Sequence, residues 1–206
     1  MIKVVGFDLD NTLYNQQSFE FEVFEEIANL VEKEFNIDKT NYLNSLKELY
    51  FKGVKSKTFD IAMQSLNKNL PSNWEEFVKN RLLPTYRGFR AKNIFLYDEA
   101  KNFLDNLKEQ NYNLALITNG NSLVQNNKLD ALNLKSYFDL ILISDDFNPP
   151  RRKPDTYMFK KALEYFNIKP NQMVYIGDDL VRDRASQEVG IKFIDINSIS
   201  FRDIKF

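Results

Sequence analysis

Lys3-Val4-Val5-Gly6-Phe7-Asp8-Leu9-Asp10-Asn11-Thr12-Leu13-Tyr14 is the stretch from which the rest of the chain can be read. The apolar run Val4, Val5, Phe7 reads as a buried parallel strand, and it stops at two carboxylates that flank one leucine. Two acids held together at a strand end repel each other and lose hydration. They persist only beside a cation, a shared proton or a ring of donors. For an isolated pair of this kind, a solvated turn in which Asp10, Asn11 and Thr12 satisfy local backbone groups explains as much. The remainder of the chain separates the two readings.

From Ser18 to about Tyr86 the pattern is helical. Ser18 is expected to cap Phe19–Phe35, with Phe21, Phe24, Ile27, Ala28, Val31 and Phe35 on one stripe. Asp38 or Thr40 opens a second helix that buries Tyr42, Leu43, Leu46, Leu49 and Tyr50. A third covers about Thr58–Asn69 on Ile61, Ala62, Ser65 and Leu66. A fourth covers about Asn73–Leu83 and stops before Pro84. Four short amphipathic helices in succession form a small bundle. Beyond Arg87-Gly88-Phe89-Arg90, helix and strand alternate, as in a parallel sheet. Helices are expected at Asp98–Gln110, Ser122–Leu132, Thr156–Phe166 and Leu180–Val189, and strands at Asn113–Thr118, Leu140–Ser144, Met173–Ile176 and near Lys192–Asp195. The fold class is therefore α/β: a doubly wound, Rossmann-like parallel sheet with a helical bundle inserted after its first strand.

Composition narrows the chemistry. With 28 basic against 29 acidic residues in 206, the chain has no general attraction for nucleic acid or anionic lipid. Cys and His are both absent. Acid–base work therefore falls to Asp, Glu, Lys or Tyr, and a metal site would be all-oxygen and suited to a hard cation. No stretch approaches a membrane span and no cleavage-site pattern follows the first apolar run, so a soluble, cytoplasmic protein is expected.

Ligands bind beyond the carboxyl ends of the strands in such sheets, and polar residues recur there. Asp8 and Asp10 follow the first strand, Thr118-Asn119-Gly120 ends the second, and Gly177-Asp178-Asp179-Leu180-Val181-Arg182-Asp183 follows Met173–Ile176. Arg151-Arg152-Lys153-Pro154 precedes a helix. Each has an ordinary explanation alone, as a turn, a loop or a helix cap. Together, in this order, they resemble the four motifs of the haloacid dehalogenase superfamily of aspartate-dependent phosphatases: Asp8-Leu9-Asp10-Asn11-Thr12, Thr118-Asn119, Lys153-Pro154, and Gly177-Asp178-Asp179 with Asp183.

The resemblance implies an α/β core of residues 1–16 and 88–206 and a helical cap of residues 17–87. It further implies a magnesium-dependent phosphatase acting on a small phosphorylated metabolite, a nucleotide or a sugar phosphate. Asp8 is then the nucleophile that forms an aspartyl-phosphate, and Asp10 protonates the leaving alcohol and later deprotonates water. Asp8, the main-chain carbonyl of Asp10, and Asp178 hold the ion. The Thr118 hydroxyl and the Asn119 amide hold phosphate oxygens, and Lys153 offsets charge. Asp183 orients Lys153 or a metal-bound water, and Asp179 and Thr12 stand with it behind the groups that meet the ligand. A phosphomutase, a phosphonate hydrolase using Lys47, Lys52, Lys55 or Lys57, and a non-catalytic phosphate-binding or scaffold protein are the alternatives. Arg182 pairs with Asp179 or lies in solvent. Arg151-Arg152 meets a second anion or shapes its loop.

Overall fold

Strand β1, Val4–Phe7, is buried along its whole length and lies at the centre of a five-stranded sheet. The computed structural model describes residues 1–66 and 70–206. In chain order, β1 is followed by helices α1 (Gln16–Phe35), α2 (Lys39–Phe51), α3 (Thr58–Leu66), α4 (Trp74–Phe77) and α5 (Leu83–Gly88), the last two joined by a π-helical turn, Val78–Leu82. Then come α6 (Asp98–Glu109), β2 (Asn113–Thr118), α7 (Ser122–Ala131), β3 (Leu140–Ile143), α8 (Tyr157–Phe166), β4 (Met173–Gly177) and β5 (Lys192–Asp195). The strand order is β3-β2-β1-β4-β5 and every pairing is parallel. Gly6 is level with Ala115 and Tyr175, so the ends of β1, β2 and β4 share one edge. This is the doubly wound arrangement expected from the alternation of apolar runs with amphipathic segments.

The chain divides into two compact units, Met1–Gln16 with Ile94–Phe206, and Gln17–Asn93. In the first, Val4, Ala115, Ile117, Met158, Phe159, Ala162, Met173 and Tyr175 share one buried cluster on one face of the sheet. In the second, Phe19, Val23, Ile27 and Val31 of α1 are buried, as are Tyr42 and Leu46 of α2. The Glu20 carboxylate there accepts hydrogen bonds from the Tyr86 hydroxyl at 3.1 and 3.2 Å. Glu22 caps the exit of the unit by accepting from the backbone N–H groups of Lys92 and Asn93 at 2.9 and 3.1 Å.

Several boundaries differ from expectation. Ser18 lies inside α1, because Asn11 Oδ1 takes the Gln16 N–H and starts the helix earlier. Asp38, not Thr40, caps α2 through the Asn41 N–H. α3 buries Phe59, Ala62 and Met63 while Ile61 and Leu66 are exposed, so its apolar face is rotated from the one expected. The expected end of that helix, residues 67–69, lies outside the described residues. Pro84 does not end the fourth helix. The preceding turn widens so that the Leu83 N–H reaches the Val78 carbonyl, and the chain stays helical to Gly88. Leu180–Val189 is a turn followed by a 3₁₀ segment, Arg184–Val189. Asp179 Oδ1 draws in the N–H groups of Val181 and Arg182 at 2.9 and 2.8 Å.

Candidate active site

Asp8 leaves β1 with its carboxylate buried, and Lys153 reaches it from the loop before α8, with Nζ 2.7 Å from Oδ1. The same ammonium lies 2.5 Å from Asp183 Oδ1, 2.9 Å from the Ile117 carbonyl and 2.8 Å from the Tyr175 hydroxyl, so that its three N–H groups are shared among four oxygens. The tyrosine in turn donates to Ile117 at 2.7 Å. A lysine that is 3% exposed is thus held by oxygens from β1, β2, β4 and the turn after β4. Burial would discharge it, but Asp8 and Asp183 outweigh that and hold its pKa above the ordinary value.

Asp183 reaches Lys153 because residue 177 is glycine. A Cβ there would stand 2.3 Å from Asp183 Oδ2. That oxygen accepts the Asp179 N–H at 3.1 Å. Asp8, Asp178 and Asp183 each bring a carboxylate oxygen within 4.8 Å of the others, a three-carboxylate group able to hold a metal ion. Burial pushes Asp8 up to about 8, against Lys153 and with help from Asp183 and Asp10, and it pushes Asp178 up to about 6, aided by Asp183. One lysine does not offset three clustered acids, and the all-oxygen donor set fits a hard divalent cation.

The Asp10 carboxylate is held differently. Oδ1 accepts from the Tyr14 hydroxyl at 2.6 Å and from Lys128 Nζ at 2.8 Å, and Oδ2 accepts from Gln125 Nε2 at 3.1 Å. Burial would raise it, but Lys128 leads the groups that outweigh burial and hold it below the usual carboxylate range. Gln125 Nε2 also donates to Thr118 Oγ1 at 2.7 Å. The amide of Asn119 closes a two-bond pair with the backbone of Lys153, 2.8 Å in each direction. The side chain of Asn119 thereby fixes the lysine loop to the end of β2. Thr12 is fully buried and its hydroxyl oxygen has no hydrogen-bond partner among the described residues.

The basic residues around the motifs have local partners. Arg152 makes two bonds to Asp145, at 2.9 and 2.7 Å, and Arg151 meets Asp155 at 3.4 Å and lies over the Tyr157 ring. Arg182 and Asp179 form a half-exposed pair at 3.7 Å. Tyr14, Tyr175, Gln125 and Lys128 were not singled out from the sequence. The available signal was Gln125 and Lys128 three residues apart on the helix after Thr118-Asn119, a spacing that puts both on one face.

Residues 5–196 match the model of the haloacid dehalogenase-like hydrolase family. A glyceraldehyde 3-phosphate phosphatase of Methanocaldococcus jannaschii is 27% identical over all of this chain and 89% of its own length. A ribulose-1,5-bisphosphate 5-phosphatase of Halopiger xanaduensis is 28% identical over 94% of this chain and 84% of its own length. Among solved structures, a HAD phosphatase of Thermococcus onnurineus superposes with a TM-score of 0.65 at 22% identity, covering 95% of this chain and 86% of that one.

Proposed function

The chain belongs to the haloacid dehalogenase-like hydrolase family, and on that premise we propose that it is a magnesium-dependent phosphatase of a short phosphorylated sugar or related metabolite. The observation that carries the reading is the pairing of two unlike carboxyls two residues apart. Asp8 lies among buried acids and Lys153, and Asp10 lies among separate donors. Nucleophile and acid–base require such different surroundings.

In the first step an Asp8 oxygen bonds to phosphorus as the P–O bond to the alcohol breaks. The alcohol oxygen keeps the electron pair and takes a proton from Asp10, which its donors hold ionised in the free protein and which the arriving phosphate dianion must first drive to the protonated form. In the second, a water oxygen attacks the phosphoryl group, Asp10 accepts the water proton, and the bond to Asp8 breaks to release inorganic phosphate and the free carboxylate. Lys153 offsets charge on Asp8 and the phosphoryl oxygens. Gln125 Nε2 faces the Asp10 carboxylate and the Asn119 carbonyl as well as Thr118. That amide end must donate, so the Thr118 hydroxyl accepts from it and keeps its proton for a phosphate oxygen. A magnesium ion held by Asp8, Asp178 and the Asp10 carbonyl, with Asp183 beside it, would supply positive charge that lets a carboxylate approach an anion. The helical unit Gln17–Asn93 is proposed as the mobile cover, since water must be excluded in one step and admitted in the next.

The relatives' names favour a sugar phosphate over a nucleotide as substrate. Phosphate release with magnesium from a panel of glyceraldehyde 3-phosphate, phosphoglycolate, ribulose 1,5-bisphosphate, nucleoside monophosphates and 4-nitrophenyl phosphate should show turnover, strongest among the short alkyl phosphates. No release from any member would overturn the reading.

The metal reading predicts a pH effect on stability. Asp8 has an ordinary pKa of 3.8 and a folded one of about 8. Its contribution to stability is fully present below 3.8 and is lost as pH rises through 8. Asp178, at about 6, acts in the same direction. Metal-free protein should therefore lose stability between pH 5 and 8, with a slope of at most about 1.4 kcal/mol per pH unit for each titrating group. Magnesium, which favours the ionised carboxylates, should flatten that slope, as should Asp8→Asn. Identical thermal-unfolding profiles with and without magnesium across that range would remove the support for a metal at these acids.

A further inference from the structure

Helix α7 carries two buried polar side chains beside the Asp10 carboxyl: Gln125, 1% exposed, which orients the Thr118 hydroxyl, and Lys128, 2% exposed, to which the mechanism above gives no part. Lysine is almost never fully buried unless it is paired, and here the pairing is with Asp10 at 2.8 Å. Asn121 caps the helix through the Leu123 and Val124 N–H groups, so the first turn is anchored directly after β2. Gly120 leaves the space into which Gln125 folds back, since a Cβ at that position would stand 2.9 Å from Gln125 Cδ. The result is a carboxyl clamped on both oxygens: Tyr14 and Lys128 hold Oδ1, and Gln125 holds Oδ2 while also bonding Thr118.

We propose that Lys128 and Gln125 are positioning residues for proton transfer to the leaving group, fixing the plane of the Asp10 carboxyl and tying it to the Thr118 hydroxyl. The proposal rests on Asp10 being the acid of the phosphatase reaction. A carboxyl bonded through one oxygen can turn about its Cβ–Cγ axis, whereas bonds to both oxygens from groups on a rigid helix remove that freedom. The loss of such a clamp falls on substrates that need the proton. An alkoxide is a poor leaving group and depends on protonation, while a nitrophenolate departs without it.

The test uses the intact chain with magnesium and compares the best alkyl phosphate of the panel with 4-nitrophenyl phosphate. Lys128→Met should lower kcat on the alkyl ester by about 30- to 100-fold and on the aryl ester by less than about 3-fold, with KM for each changed by less than about 2-fold. Lys128→Arg, which keeps the cation and two or more donors, should recover most of the alkyl rate. The aryl rate serves as the folding control in the same preparation. If Lys128→Met shows no thermal transition and no aryl turnover, Lys128→Gln, which keeps two N–H donors in the buried site without the charge, is judged on the same ratio. Equal losses on both esters, or none on either, would overturn the positioning role. Failure of the phosphatase reading is a separate result, seen as absence of wild-type turnover or as Asp8→Asn activity.

Discussion

Asp8→Asn is expected to lower kcat by about four orders of magnitude or more and to abolish the phosphoenzyme, because an amide is a poor nucleophile at phosphorus and no neighbouring group replaces it. The other acids are placed for other work. Asp183 is held by Lys153 and by the Asp179 N–H, and Asp10 is held on both oxygens. The substitution should leave the fold sound. Burial raises the Asp8 pKa, so the ionised carboxylate is an unfavourable occupant of its site in the absence of metal. A neutral isostere should therefore melt at or above the wild-type temperature at pH 8. Acid quench of the wild-type reaction with labelled substrate should trap phosphate on the peptide containing Asp8, with none trapped in the variant. Turnover within tenfold of wild type by a folded Asp8→Asn protein would refute the aspartyl-phosphate route.

The parts of this molecule that the sequence discloses are those in which local chemistry and tertiary role coincide. Buried parallel strands read as apolar runs whether or not their neighbours are known, and β1 and β2 lie where their runs lie. Acids and small residues at strand ends are equally visible, since Gly177 and Asp183 are six residues apart in one turn. The clamp on Asp10 was not visible, because a glutamine and a lysine on a helix ordinarily mark its solvated face. A carboxylate 118 positions away in the sequence meets Lys128 in the interior. The rotated face of α3 has a similar origin. Ile61 with Leu66 and Phe59 with Met63 are both plausible apolar stripes, and packing of Phe59 against Tyr86 selects the second. Pro84 misled for a backbone reason, since a widened turn spares the hydrogen bond that proline lacks.

Lys153→Met is expected to cost about 3–5 kcal/mol of stability in metal-free protein, the usual consequence of removing one partner from a buried ion pair and leaving the other unpaired. Here two carboxylates are left: Asp8 Oδ1 and Asp183 Oδ1 lose the ammonium 2.7 and 2.5 Å away, and both residues are buried. Methionine fills the volume of the side chain but leaves like charges facing each other. The loss should therefore grow as pH rises from 6 to 8, where Asp8 begins to ionise against Lys153 in the wild type. Without the ammonium its pKa stands higher still and the variant must keep the proton. Adding Asp183→Asn should recover about 1–3 kcal/mol of the loss, because the two substitutions act on one network. Activity should not return with stability, since no cation then faces the phosphoryl group beside Asp8. Chemical denaturation in a chelating buffer at pH 6 and pH 8, with kcat measured on the same preparations, would separate these effects. A single variant within about 1 kcal/mol of wild type at pH 8 would mean that Lys153 does not offset the buried acids. A double variant that regained turnover along with stability would mean that its charge has no part in the chemistry.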